Sequence, residues 1–220
     1  MIPKDYLQVL QSIRLFHGIS AAELESMLDC VGAQKKAVRK GKMVLHAGDK
    51  PRSVGIVLEG QLHVVREDFD GNSSLIAVLT AGDTFAEALC CAGVHESPVS
   101  VIAGLDSTVM LLGFDRILRT CTNACSFHGK LIENMLGLIA GKNLSMQSHM
   151  EILSMKTIRS KVMRHMESLG AKKGCEIAIP FSRDELANYL CVDRSALSHE
   201  LSRMKQDGLI DYRKNRFVLR

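Results

Sequence analysis

Ser182-Arg183-Asp184-Glu185-Leu186-Ala187-Asn188-Tyr189-Leu190-Cys191-Val192-Asp193-Arg194-Ser195-Ala196-Leu197-Ser198-His199-Glu200-Leu201-Ser202-Arg203-Met204-Lys205-Gln206-Asp207-Gly208 decides the fold of this chain. Ser182 is a strong N-cap, and Glu185 three residues on completes a capping box, so a helix runs over 183–190. Its inward face is Leu186, Ala187 and Leu190. Cys191-Val192 makes a short turn. Asp193 caps a second helix with the inner face Leu197, Leu201 and Met204, and Asp207-Gly208 stops it. Residues 209–212 and 216–219 then read as two strands joined at Lys214-Asn215. Helix, tight turn, helix and hairpin make a winged helix-turn-helix. The blander reading is a helical hairpin with a solvated polar face. The order of elements, the two caps and the basic hairpin tip argue against it.

Opposite its leucines the second helix presents Arg194, Ser195, Ser198, His199 and Ser202. Arg can bond guanine O6 and N7 together, and Ser hydroxyls can reach phosphates or base edges. With Ser182 and the hairpin residues Arg213, Lys214 and Arg216, these are the candidate DNA-binding residues. Charge agrees. Residues 1–150 hold 14 Lys+Arg against 15 Asp+Glu, whereas residues 151–220 hold 14 against 9. A basic C-terminal third is the electrostatic footprint of a nucleic-acid module.

Upstream, residues 115–170 contain no Pro. Ile132, Ile139, Met146 and Leu153 recur every seven residues, with Leu136, Asn143 and Met150 four residues behind the first three. That is an a/d seam, and it predicts a dimer through a helix over 130–153. An amphipathic helix packed on its own domain is the alternative. Asn143 in the seam costs stability and fixes register. Gly137 and Gly141 each weaken the helix, and suggest close backbone approach across the seam. Residues 156–169 read as a further helix closed by Gly170, and 177–179 as a short strand ended by Pro180.

Before residue 115 the pattern is different. Leu7, Leu10 and Ile13 fall at helical spacing, and Ser20 with Glu23 opens a second helix. From residue 32 onward glycines recur about every ten residues. Between them lie short apolar or alternating runs at 43–45, 54–58, 61–65, 74–79, 99–103 and 108–112, with Asp70-Gly71-Asn72 as the clearest hairpin turn. Such spacing means a β sandwich or barrel. The fold class is therefore α+β, in three parts: a β sandwich or barrel with N-terminal helices over 1–115, a dimerisation helix region over 116–154, and the winged helix-turn-helix over 155–220.

The chain has 220 residues, 46% hydrophobic and 24% charged, ordinary values for globular domains. No apolar run is long enough to span a membrane. Met1-Ile2-Pro3-Lys4-Asp5-Tyr6 lacks the apolar core of a signal peptide, which places the protein in the cytoplasm. The seven Cys are odd in number and irregularly spaced, so they read as reduced thiols.

The whole chain resembles the CRP/FNR family of bacterial regulators. In the sensor the likeness runs through 40–49, Gly55-Ile56-Val57-Leu58-Glu59-Gly60 and Gly82-Asp83-Thr84-Phe85, which look like the glycine-punctuated strands of a cyclic-nucleotide-binding jelly roll. In the C-terminal part it runs through 182–187 and 194–201. The resemblance implies a homodimer on double-stranded DNA with half-sites about one helical turn apart. It also implies a small-molecule effector beside Phe85, Ala86, Glu87, Ala88, Leu89, Ser97, Pro98 and Val99, and RNA polymerase as a partner if the protein activates. Cyclic-AMP-binding members carry Gly-Glu and, further on, Arg-Ser. Here those pairs read Ala86-Glu87 and Ser97-Pro98, so the cation facing the cyclic phosphate is missing. Cyclic AMP in the familiar pose is not expected. The small apolar residues Ala88, Leu89, Ala92 and Val94 suggest a less charged ligand. Oxygen-sensing members hold an iron–sulfur cluster on an N-terminal run of Cys, whereas here only Cys30 precedes residue 90. No metal or cluster is expected. Those members also place Glu and Arg where Ser195 and His199 stand, so base preference differs.

Two other chemistries compete with this reading. Cys121-x-x-x-Cys125-x-x-His128 could hold a metal or act as a thiol switch, making a redox- or metal-responsive regulator, and the adjacent Cys90-Cys91 would point apart. A jelly-roll metalloenzyme needs converging His ligands. His46, His63 and His95 are isolated in sequence, and no catalytic triad, P-loop or dinucleotide fingerprint is present.

Overall fold

The computed structural model describes residues 4–67, 73–118, 126–179 and 181–220. Asp70-Gly71-Asn72, Cys121, Cys125 and Pro180 lie outside them. The chain forms two compact units, Met1–Ala140 and Gly141–Arg220, so the division falls inside a long helix.

The first unit opens with α1 (Lys4–Ser12), a 3-10 turn (Arg14–Phe16) and α2 (Ala21–Cys30). The expected capping box starts α2: Glu23 N–H donates to Ser20 Oγ at 3.3 Å and Ser20 N–H to Glu23 Oε2 at 2.9 Å. Eight strands follow among the described residues: β1 (Gln34–Val38), β2 (Met43–Leu45), β3 (Ser53–Glu59), β4 (Gln61–Glu67), β5 (Ser73–Thr80), β6 (Thr84–Phe85), β7 (Ser100–Ala103) and β8 (Ser107–Gly113). The short α3 (Glu87–Cys91) interrupts them after β6. They pair antiparallel in two four-stranded sheets, ordered β1-β8-β3-β6 and β2-β7-β4-β5.

The apolar run of β3 is explained by burial on both faces. Val54, Ile56 and Leu58 pack with the helices, while Val57 packs with Val38, Leu62, Phe85, Val101 and Val109 between the sheets. Two strands escaped the sequence pattern. In β1 only Val38 is buried, and the strand is held by its register on β8, from Gln34↔Leu111 to Val38↔Ser107. Lys35 and Lys36 suit such an exposed edge. The two-residue β6 is too short to show a period.

After α4 (Phe114–Leu118) comes α5 (Ser126–Ser154). Leu131, Met135 and Leu138 are buried in the first unit's core. Ile132 and Ile139 of the expected seam are half-buried against that same core, and Leu153 is half-buried. Leu136, Asn143, Met146 and Met150 are exposed, as is Leu144. The helix thus has two apolar faces, and the seven-residue repeat mixes them. Gly137 faces the side chain of Arg14 from its own chain.

In the second unit the end of α5 is followed by α6 (Ile158–Ser168), β9 (Glu176–Ala178), α7 (Arg183–Tyr189), α8 (Arg194–Gln206), β10 (Ile210–Arg213) and β11 (Arg216–Leu219). The strands form one antiparallel sheet, β10-β11-β9. Its core contains Ile152, Val162, Met166, Leu186, Leu190, Leu197, Leu201, Met204 and Phe217. No helix among the described residues is long and apolar enough to cross a membrane.

Candidate nucleic-acid interface and effector cavity

Both helices of the C-terminal motif start where the sequence caps them. Ser182 N–H donates to Glu185 Oε2 at 2.7 Å and Glu185 N–H to Ser182 Oγ at 3.3 Å. Asp193 Oδ1 accepts the N–H groups of Ser195 and Ala196 at 2.8 and 2.9 Å and the Ser195 hydroxyl at 2.5 Å. These bonds, the hydroxyl's first, hold the Asp193 carboxyl below its usual range. Leu197, Leu201 and Met204 are fully buried, so the opposite face of α8 must point outward.

On that face Arg194, Ser195, His199 and Ser202 are exposed and Ser198 is half-buried. The hydroxyls are partly committed. Ser195 donates to its cap, and Ser202 donates to the Ser198 carbonyl at 3.0 Å. Their lone pairs remain for donors such as the exocyclic amines of cytosine or adenine. Arg194 Nε lies 3.0 Å from Asp184 Oδ1, both side chains largely exposed. On the hairpin, Arg213 and Arg216 are cross-strand partners. Arg216 Nη1 pairs with Glu176 Oε1 at 2.8 Å, whereas Arg213 and Lys214 have no ion pair among the described residues. Arg183 donates to the Lys214 carbonyl at 3.4 Å, which ties the start of α7 to the hairpin tip.

Sequence reasoning missed two cations here. A cleft of about 510 Å³ is lined by Thr157, Arg159, His199 and Arg203, among others. Arg203 follows His199 by four residues, so helical spacing could have found it. Arg159 was not legible. It is brought in by α6 and bonded at 2.7 Å to both Glu200 and Asp207.

In the first unit a cavity of about 370 Å³ opens beside β6. Phe85 and Ala86 line it, and the rest of its wall is Val44, Leu45, residues 49–53 and Leu111. Glu87 and Ser97 are buried, Leu89 and Val99 half-buried, and Ala88 and Pro98 exposed, and none of these lines it. Ala92, counted among the small apolar residues of the pocket, is exposed as well. The Ser97 hydroxyl donates to the Val99 carbonyl at 2.7 Å, a local turn that engages it within its own loop. Lys50 and Arg52 line the cavity with Asp49, so cations do reach it, from a segment just beyond the glycine-rich run 40–49.

His128, which the competing metal or thiol-switch reading would set with Cys121 and Cys125, lies with its Nε2 3.8 Å from Cys30 Sγ. Cys90 is buried and Cys91 exposed. Among the described residues no three His, Cys, Asp or Glu gather as metal ligands.

Residues 35–123 match the cyclic nucleotide-binding domain, and residues 160–220 match the Crp-like helix-turn-helix domain. The chain belongs to the CRP/FNR family. Electron transport regulator A of Shewanella oneidensis is 21% identical over 91% of this chain and 80% of its own. The cyclic AMP receptor protein of Thermus thermophilus is 21% identical over 89% and 87%. The crystal structure of the Thermus thermophilus catabolite activator protein superposes with a TM-score of 0.55 at 20% identity, over 94% of this chain and 93% of that one. This CRP/FNR-family chain is thus a transcription regulator, not an enzyme.

Proposed function

We propose that this regulator binds double-stranded DNA as a homodimer, with one α8 of each protomer in a major groove and the hairpins on flanking phosphates. The observation that carries the reading is the outward face of α8, where Arg194, Ser195, Ser198, His199 and Ser202 follow the Asp193 cap, beside a basic wing. The dimer contact is the exposed stripe of α5, Leu136, Asn143, Leu144, Met146 and Met150. An apolar stripe of that length on a solvated helix favours a second copy. The protein acts in the cytoplasm, and RNA polymerase is its further partner if it activates.

The cavity beside Phe85 and Ala86 takes the effector. Cyclic AMP in the familiar pose remains unsupported, because Ser97 is engaged by its own loop and Pro98 has no N–H to offer. Lys50 and Arg52 at the cavity favour an effector with an anionic group. A mobility shift on duplex DNA over a range of salt tests the main reading. Specific retention that weakens steeply with salt supports it. No retention at any salt, with and without cell extract metabolites, overturns it. Calorimetry with cyclic AMP tests the other half, and micromolar binding that Ser97→Ala weakens would refute it.

A further inference from the structure

We propose that Cys30 is an oxidisable thiol, activated by His128, that reacts with small hydroperoxides. Cys30 ends α2 and is half-buried, whereas His128 sits in the first turn of α5 and is 1% exposed. The two are 98 residues apart in sequence, and Sγ and Nε2 stand 3.8 Å apart, within reach for a sulfur hydrogen bond. His128 Nδ1 is sealed from water and has no hydrogen-bond partner among the described residues. A buried imidazole with no described partner on one side and a thiol on the other is an arrangement that packing alone does not reward.

The surroundings make His128 necessary. Cys30 is the last residue of a helix, where the carbonyl ends oppose a thiolate. The other described thiols lack such a base. Burial pushes Cys90 up to about 11, and burial with Glu87 nearby raises Cys91. Cys91 meets the Met135 sulfur, at 3.7 Å. Cys175 and Cys191 are exposed, and neither has an imidazole in hydrogen-bond reach among the described residues.

The chemistry balances as a two-electron oxidation. Nε2 takes the Sγ proton. The thiolate attacks the terminal peroxide oxygen, the S–O bond forms as the O–O bond breaks, and the departing hydroxide or alkoxide takes the proton from the imidazolium as water or alcohol. Cysteine becomes sulfenic acid and the hydroperoxide is reduced to water or an alcohol. The added oxygen then lies between the end of α2 and the first turn of α5, whose far end belongs to the DNA-binding unit. That last consequence rests on the proposed function, but the reaction does not.

The test is a residue-resolved rate. Reduced full-length protein is treated with hydrogen peroxide, trapped with a sulfenic-acid reagent and read by mass spectrometry at each Cys. Half-buried Cys30 is expected to react faster than exposed Cys175, the reverse of the order set by exposure. In His128→Gln the Cys30 rate should fall by about tenfold or more while Cys175 is unchanged. Cys30 slower than Cys175 in the wild type overturns the proposal. So does an equal Cys30 rate in a His128→Gln protein with wild-type circular dichroism. The wild-type comparison needs no variant and stands if His128→Gln does not fold. Neither readout depends on DNA.

Discussion

Ala86 holds φ +62°, the left-handed region where an L side chain is strained, at the junction of β6 and α3. Related cyclic-nucleotide cassettes place Gly at this position. Ala86→Gly should therefore stabilise the first unit by up to about 1 kcal/mol, read from a urea midpoint. The reverse case is Gly55. A Cβ there would meet the Phe85 ring, which lies across its backbone. Gly55→Ala should cost about 1–3 kcal/mol by the same measurement, and less in combination with Phe85→Leu. Arg194 illustrates a side chain whose partner the sequence did not name. Asp184 holds it at 3.0 Å in free protein. Removing Arg194 should cost about 1–3 kcal/mol per half-site and relax one base preference. Asp184→Asn should tighten DNA binding, since it frees the guanidinium and removes a charge facing phosphates. Equal affinity of Asp184→Asn and wild type in a titration would show that Arg194 makes no contact.

At the scale of elements, the end of α5 is held to the DNA-binding motif by a group of rings. His149 stacks on Tyr189 of α7 at 4.0 Å and 10°, and its Nε2–H donates to the Tyr189 carbonyl at 2.8 Å. His165 of α6 packs on Tyr189 and Phe181 at 4.9 and 6.0 Å. It is 3% exposed, and neither ring nitrogen has a partner among the described residues. Burial first, and then His149, lowers its pKa. The nearby cations sit in other bonds: Lys161 donates to the Leu190 carbonyl and Arg164 pairs with Glu151. A lowered folded pKa means that the unfolded chain binds the proton more readily. Stability of this unit is therefore full above about pH 6.5 and falls as the pH is lowered below it. His165→Phe should flatten that acid-side loss in a series of thermal midpoints from about pH 5 to 8. A slope unchanged by the substitution would assign the loss to other groups. His199 is exposed on α8, and a loss of DNA affinity in His199→Ala would mark it as a phosphate or base contact.

For the whole molecule the testable quantity is assembly. Ile139→Asp is a poor probe of the dimer, because Ile139 also packs on its own core. Leu136→Glu and Met150→Glu change exposed positions of the stripe and should leave the protomer folded. Both should shift sedimentation at micromolar concentration from dimer to monomer, and lower DNA affinity in step. A dimer intact in both variants would move the interface elsewhere. On DNA, Lys214→Ala should weaken specific and random duplex alike. It should also lower the salt slope by about one unit for each phosphate that Lys214 neutralises in each subunit. Arg216→Ala should do less, because Glu176 already neutralises that side chain.

The caps, the breaks and the repeats of this chain are local, so they are readable in one dimension. Ser182 with Glu185, Asp193, Ser20 with Glu23 and the buried faces of α7 and α8 all stand where the side chains' own hydrogen bonds and periods require. The winged helix-turn-helix, the sandwich and the long helix were determined at that level. What faces what was not. Whether Ile139 meets its own core, whether Lys50 and Arg52 reach the cavity of Phe85, and whether Cys30 meets His128 depend on strand register and helix placement across tens of residues. Such pairings are settled by the packing of the whole core, which no local pattern encodes.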